Sequence, residues 1–436
     1  MITQPPTPQR VAIISATFHH ERSYQENIWA ESLADWGVEV TVYAPVDQAT
    51  SGSTVTFIVD TPQGASYQVA LIPSTILPRN SVLSDALADH VVDAGPDLCV
   101  WFGAVMYFGR GLYLDPRLAE VPVITVYSLS RRGRHPFQWY GRGHSWSARA
   151  KSLAFQVLRA PILARSLSRA QLTIANTPEC TDIIRQYIWG DDRVSWACKH
   201  VEIPLGFCPH TFRYRPRMRA QAREALSLRD NDVTVLFSTR FAPDKWPALN
   251  SCFQAVEQGF QQALELINES EEFTHLSGLQ APRLHMIWIG ADESAVTAQM
   301  RDVLREAQDP GQHHLISFQT RERLATWYHT ADLILFPQPS ISVQEALGTG
   351  AQVLCPPDPS LDHLARYPVR IERQDVERWP EHIARLCVEM LKERARQHTG
   401  DSCAEDARAE AAKGALDLAY PNLIKTALFE LERRLG

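Results

Sequence analysis

The sequence predicts an α/β protein of two doubly wound domains facing a cleft, and three observations carry that prediction. Short apolar runs recur along the chain, separated by stretches with helical patterning, which is the rhythm of βαβ units. The rhythm restarts after a polar stretch rich in Arg and Pro between Arg213 and Asp232. Finally, 436 residues is nearly three times a common domain of ~150 residues, so two domains are the default. Hydrophobic residues at 45% and charged residues at 21% are the balance of a folded protein and exclude disorder, collagen and low complexity.

The first element is the run Val11 to Ile14, read as a buried parallel strand. A polar loop containing His19 and His20 follows, and Ser23 with Glu26 has the Ser-x-x-Glu form of a helix capping box. That helix directs Ile28, Leu33 and Trp36 inward and stops at Gly37, where Val38 to Tyr43 begins a second strand. Leu98 to Phe102, Val121 to Tyr127 and Leu172 to Ala175 continue the series, the last followed by a helix capped at Thr177. Val201 to Phe207 ends this half.

A second series starts at Val233 to Phe237, with its first crossover helix after Trp246 and Pro247. Later strands are His285 to Ile289, Leu315 to Phe318, Asp332 to Phe336 and Gln352 to Cys355. The stretch Asn268 to Glu272 reads as a solvated insertion, and the tail from Pro380 as helical, with an amphipathic last segment from Asn422 to Leu435. The expected divisions are an N-terminal domain over 1–207, a C-terminal domain over 208–412, and a helix over 413–436 packing back on the first domain. Doubly wound sheets take ligands at the carboxyl ends of their strands, so the expected active site lies in the cleft between the domains.

Two strand ends carry the chemistry. After Val233 to Phe237, Arg240 and Lys245 stand five positions apart on a turn, a compact receptor for a diphosphate: Arg binds phosphate oxygens bidentately and Lys supplies a point charge. An ordinary charged surface loop is the plain alternative. A hundred residues on, Ser340, Ile341, Ser342 and Val343 precede Glu345, where small hydroxyl residues open a helix toward an anion and the carboxylate can accept hydrogen bonds from a ribose diol. The plain alternative is a serine cap with Glu345 facing the helix dipole. Asp230 and Asp232 spell a DxD metal motif but precede a strand, so they read as a turn and no metal site is expected.

With these residues in hand, the second half resembles the donor domain of retaining GT-B glycosyltransferases of family 4, the glycogen-synthase-like group. Arg240 and Lys245 match that family's diphosphate-binding pair, Glu345 the second Glu of its Glu-x7-Glu motif, and Gly350 the glycine after it. Val201 to Phe212 resembles the crossover segment between domains, and Trp327 to Asp332 the helix-to-strand step before the motif. The resemblance covers most of residues 200–360 and, more weakly, the first half. It implies two Rossmann-like domains, a nucleoside diphosphate sugar as co-substrate, transfer to an acceptor hydroxyl with retention of configuration, and no cofactor or essential metal. Pro337 stands where the first Glu of the motif belongs, Gln352 where a Pro is usual, and Tyr127 with Ser128 where relatives carry a His. A catalytically silent nucleotide-binding scaffold and a nucleotide-sugar epimerase are therefore the alternatives.

The first half is expected to hold the acceptor, with His19 or His20 orienting or deprotonating its hydroxyl. Between Glu120 and Glu179 there is no acidic residue, whereas Arg131, Arg132, Arg134, Trp139 and others bring cations and aromatic rings. Against a net charge of −7 this asymmetry suits an anionic membrane surface or a lipid-linked or otherwise anionic acceptor, with Tyr24 on the same side. Nucleic acid is not the expected partner. Eight cysteines without a CxxC pair, and a start without an apolar signal region, fit a cytoplasmic protein docked peripherally on the inner face of the membrane.

Overall fold

A computed structural model of the chain describes residues 8–16, 18–19, 24–47, 52–77, 81–103, 107–128, 164–185, 192–239, 246–269, 281–291, 295–306, 312–338, 340, 342–367, 369–398 and 404–435. The chain forms two units, Met1–Gly206 with Tyr420–Gly436, and Phe207–Ala419. Each is an α/β unit built on a mostly parallel sheet.

In the first unit the strands are β1 (Arg10–Ser15), β2 (Glu39–Asp47), β3 (Val55–Asp60), β4 (Ser66–Leu77), β5 (Ser81–Leu83), β6 (Leu98–Phe102), β7 (Val123–Tyr127), β8 (Leu172–Ala175) and β9 (His200–Glu202). Their order is β3-β4-β2-β1-β6-β7-β8-β9, with β5 on β4. From β2 to β9 every neighbouring pair is parallel. Val11 pairs with Val40 on one side and Leu98 on the other, which fixes β1 at the centre. The order reverses between β1 and β6, so right-handed crossovers place helices on both faces. Burial on both faces explains why β6 and β7 are buried at every position and read as continuous apolar runs.

Of the expected capping box, Ser23 lies outside the described residues. The helix Gln25–Asp35 has Tyr24 at its N-cap without a side-chain cap bond, and Glu26 turns down to Ser15 Oγ at 3.3 Å. The helix end is as read: Gly37 takes φ +82°, which an L side chain rarely adopts. Thr177 does cap its helix, its Oγ1 accepting from the Cys180 N–H at 3.0 Å. Sequence reading had no counterpart for the antiparallel β3–β4 pair, because β3 is exposed or half-exposed at all positions and shows no buried face.

The second unit carries β10 (Val233–Ser238), β11 (Leu284–Ile289), β12 (His313–Ile316), β13 (Leu333–Leu335), β14 (Gln352–Cys355) and β15 (Ile371–Arg373) in the order β12-β11-β10-β13-β14-β15. Numbered within the unit this is 3-2-1-4-5-6, all parallel, the order of a dinucleotide-binding sheet with its reversal between β10 and β13. Its core includes Phe237 and Trp288, stacked with ring centroids 3.8 Å apart. β12 begins two residues before the expected start, because His313 pairs with Met286, and Phe318 beyond it is 68% exposed. β15 was missed because its three residues alternate charge with a single Ile and are only half-buried.

The polar stretch from Arg213 to Asp232, expected to be a linker with a lead-in helix, does contain a helix. The helix Pro216–Ala225 aims Arg219 and Arg223 at Asp332, which is also bound by Arg394. Asp332 further accepts from the Thr234 N–H at 2.8 Å, and its three guanidinium partners hold the buried carboxyl well below the usual carboxylate range. The last helix, Tyr420–Leu435, belongs to the first unit and buries Leu423, Ile424, Ala427, Leu428 and Leu431. Lys425 stands over the Trp36 ring at 5.4 Å.

Candidate functional site

The reversal point of the second unit is where its parallel strands leave a crevice, and the polar residues nearest to it come from three elements. β10 ends at Ser238. The helix Arg321–Thr330 supplies Tyr328, whose buried hydroxyl donates to Ser238 Oγ at 3.0 Å. The helix Ser342–Gly348, which follows β13, supplies Ser342 and Glu345. Tyr328 also interacts with Ser342, and burial beside the Glu345 charge pushes its phenol well above the ordinary value. One phenol thus ties the end of the first strand to the helix after the fourth.

Glu345 is 3% exposed. Burial raises its carboxyl from 4.5 to about 7, opposed by a hydrogen bond from Ser342 and by the Arg321 cation. Burying an ionisable carboxyl costs free energy, and groups so perturbed cluster at functional sites. Val343 is fully buried, and its N–H donates to the Ser340 carbonyl at 3.1 Å, so it closes the first turn. Ser340 is exposed, and Ser342 half-buried.

The glycines around this helix have packing reasons. Gly350 adopts φ +66°, and a Cβ there would lie 2.2 Å from the Arg408 carbonyl oxygen. Arg408 is itself buried, spanning the carbonyls of Tyr328 (3.0 Å), Ala331 (2.8 Å) and Thr349 (3.1 Å). The helix is therefore held by its following turn through a buried guanidinium, a support invisible in sequence because 59 residues separate Arg408 from Thr349.

Arg240, Lys245 and Ile341 lie outside the described residues, as do His20, Arg131, Arg132, Arg134 and Trp139. Arg240 follows Ser238 by two positions in the chain. In the first unit, His19 is exposed, its carbonyl accepting from Asn27 Nδ2 at 3.0 Å, and its ring lies 6.4 Å from that of Tyr24. Tyr127 is a core residue, its hydroxyl 2.9 Å from Ser166 Oγ. Ser128 beside it accepts from Gln25 Nε2 at 2.8 Å and is paired with Asn176. Asp232, of the DxD spelling, is fully buried and accepts from the N–H of Arg229 (2.8 Å) and from Arg283 Nε (3.1 Å), so it anchors the turn into β10. No cluster of three or more potential metal ligands occurs among the described residues.

No protein-family profile matches the chain, and no curated protein matches its sequence. Solved structures do share its fold. Sucrose-phosphate synthase from Thermosynechococcus elongatus covers 98% of this chain and 99% of its own at 16% identity and a TM-score of 0.54. Anabaena HepE in complex with UDP matches with a TM-score of 0.57 at 13% identity, over 98% of this chain and 99% of its own. The catalytic domain of starch synthase IV from Arabidopsis thaliana, bound to ADP and acarbose, matches with a TM-score of 0.53 at 12% identity, over 98% and 99%. The fold is that of the GT-B glycosyltransferases, with two Rossmann-like domains accounting for nearly the whole chain.

Proposed function

We propose that this chain transfers a glycosyl group from a nucleoside diphosphate sugar to an acceptor hydroxyl, and that Phe207–Ala419 is the donor-binding unit. The observation that carries the reading is Glu345, a buried carboxyl held near pH 7 at the reversal point of a 3-2-1-4-5-6 sheet. A ribose diol donates two hydrogen bonds to such a group. The turn after β10 begins beside Tyr328 and Ser238, and Arg240 and Lys245 on it bind the diphosphate. These cations stabilise the negative charge growing on the leaving group without a metal. The resemblance to family 4 adds retention of configuration.

The test is a thermal-shift and calorimetric panel of UDP, GDP, ADP and their sugars, since a ligand selective for the folded state raises its melting point. Arg240→Ala and Lys245→Ala each weaken nucleoside diphosphate binding by about 1.5–3 kcal/mol, the loss of a charge-assisted contact. Unchanged affinity in both variants places the diphosphate elsewhere. Pro337 in place of a carboxylate favours one second reading, a silent nucleotide-binding scaffold. Donor consumption separates the two, because a scaffold binds nucleotide and releases no sugar from it.

The acceptor belongs to the first unit in this reading, with His19, His20 and Tyr24 in the loop after β1. The acid-free stretch from Val121 to Pro178 docks that unit on an anionic surface or acceptor, at the cytoplasmic face of the membrane. No helix among the described residues is long and apolar enough to cross a membrane. Flotation with anionic liposomes is expected to recover the wild type and to lose the Arg131/Arg132/Arg134→Ala variant; equal recovery removes the membrane from the account.

A further inference from the structure

The first unit's sheet ends on β3, which among the described residues pairs with β4 alone. The register fixes which of its backbone groups are used. The Thr61 N–H donates to the Ala65 carbonyl at 2.8 Å, and the pairs from Asp60↔Ser66 to Val55↔Leu71 continue that register without a bulge. Donors and acceptors alternate along an antiparallel ladder, so Val55, Phe57 and Val59 face β4, and Thr56, Ile58 and Asp60 turn their N–H and C=O groups outward. Ile58 is 62% exposed and Val55 43%.

Both ends of β3 are anchored to their own unit. Asp35 accepts from Thr61 Oγ1 at 2.5 Å and from Gln63 Nε2 at 2.7 Å, which ties the hairpin turn to the end of the helix Gln25–Asp35. At the other end, Thr54 Oγ1 lies 2.9 Å from His90 Nε2. Proteins guard exposed sheet edges with charge, Pro, bulges or short strands. The other edges here follow that rule. β9 and β15 are three residues long and carry Glu202 and the pair Glu372 and Arg373, and β12 has four residues, all half-buried. β3 has six residues and a single charge, Asp60, at its end.

The outward groups of β3 are self-complementary. In an antiparallel pairing about a twofold axis at Ile58, that residue exchanges both backbone hydrogen bonds with its mate, and Thr56 exchanges both with Asp60 of the second copy. The Thr56 hydroxyl then donates to the Asp60 carboxylate, and the two exposed isoleucines cover each other. Registers shifted toward the turn set Asp60 against Ile58 or against its own mate. Registers shifted the other way carry Asp60 beyond the end of the facing strand.

We propose that β3 is a dimerisation edge, at which two copies of this chain join their first-unit sheets by antiparallel pairing of Val55–Asp60 about Ile58. Nothing in this pairing depends on the reaction the chain performs.

The experiment is sedimentation velocity with light scattering on the full chain, over a dilution series reaching about 100 μM. The wild type is expected to approach twice the mass of one chain. Ile58→Lys and Ile58→Glu each set like charges opposite each other across the axis and give monomers. An equimolar mixture of the two restores the dimer, because Lys then meets Glu, and its recovery shows that both variants fold. Thr56→Lys, which faces Asp60, tightens the dimer about fivefold. A wild type that stays monomeric throughout the series overturns the proposal. So does a dimer that Ile58→Lys leaves intact, or a mixture of the two charge variants that stays monomeric.

Discussion

Glu345 shows how one buried side chain couples binding to stability. Its carboxyl holds a proton in the folded chain up to about pH 7, whereas the unfolded chain releases it near 4.5. Between those values the folded state binds more protons, so this residue's contribution falls as pH rises through the window and is flat above it. Glu345→Gln removes the effect. The variant is expected to gain on the wild type between pH 5 and pH 8, by roughly 3 kcal/mol at most, while losing nucleotide affinity. Melting temperatures of both proteins at the two pH values check it, and a constant difference would show that the carboxyl ionises normally. Glu26 follows the same sign, raised to about 7 by burial and opposed by the Ser15 hydroxyl. Asp332 goes the other way despite its depth, because three arginines outweigh desolvation.

Elements in the second unit are set by close approaches between segments far apart in sequence. The helices Trp246–Glu269 and Trp379–His398 pack at Gly259, where a Cβ would stand 2.7 Å from the Pro380 carbonyl oxygen and 2.8 Å from Ile383 Cβ. Two effects compete in Gly259→Ala. Helix propensity favours alanine by about 1 kcal/mol, and the overlap costs about 1–3 kcal/mol because neither neighbouring atom is the end of a flexible chain. The overlap wins, so the variant is expected to unfold at lower urea; a gain in midpoint would mean that the two helices separate at no cost. Gly348 stands in a similar relation to Phe207, whose ring carbons would meet its Cβ at 2.6 Å. The residue that begins the second unit therefore fixes the helix carrying Glu345.

At the scale of the molecule, the chain leaves its first unit at Gly206 and returns to it at Tyr420. The returning helix is held by its apolar face and by Arg434, which donates to the Cys198 carbonyl at 3.0 Å. Removing 420–436 is expected to lower the stability of the first unit by several kcal/mol, since Leu423, Ile424, Leu428 and Leu431 are each worth about 1.5–3 kcal/mol when buried. Calorimetry of the truncated chain, with UDP binding as the readout of the second unit, tests this. An unchanged first transition would show that the helix contributes nothing to the unit it joins.

What the sequence determined by itself was the α/β class and most parallel strands, because a strand buried on both faces must be apolar throughout and such runs are visible locally. Gln352 to Cys355 was read with the observed bounds, and Val233 to Phe237 lacked only Ser238. It also singled out Glu345, behind the small hydroxyl residues Ser340 and Ser342, as a candidate site residue. Tertiary structure alone decided which polar residues are buried. Nothing local distinguishes Glu26 from a capping residue, Arg219 from a linker cation, or Arg408 from a solvated one, because burial of a charge depends on partners that the fold brings from distant positions. Strand order, and with it the crevice at the reversal point, is likewise a property of long-range pairing, which no single stretch of sequence encodes.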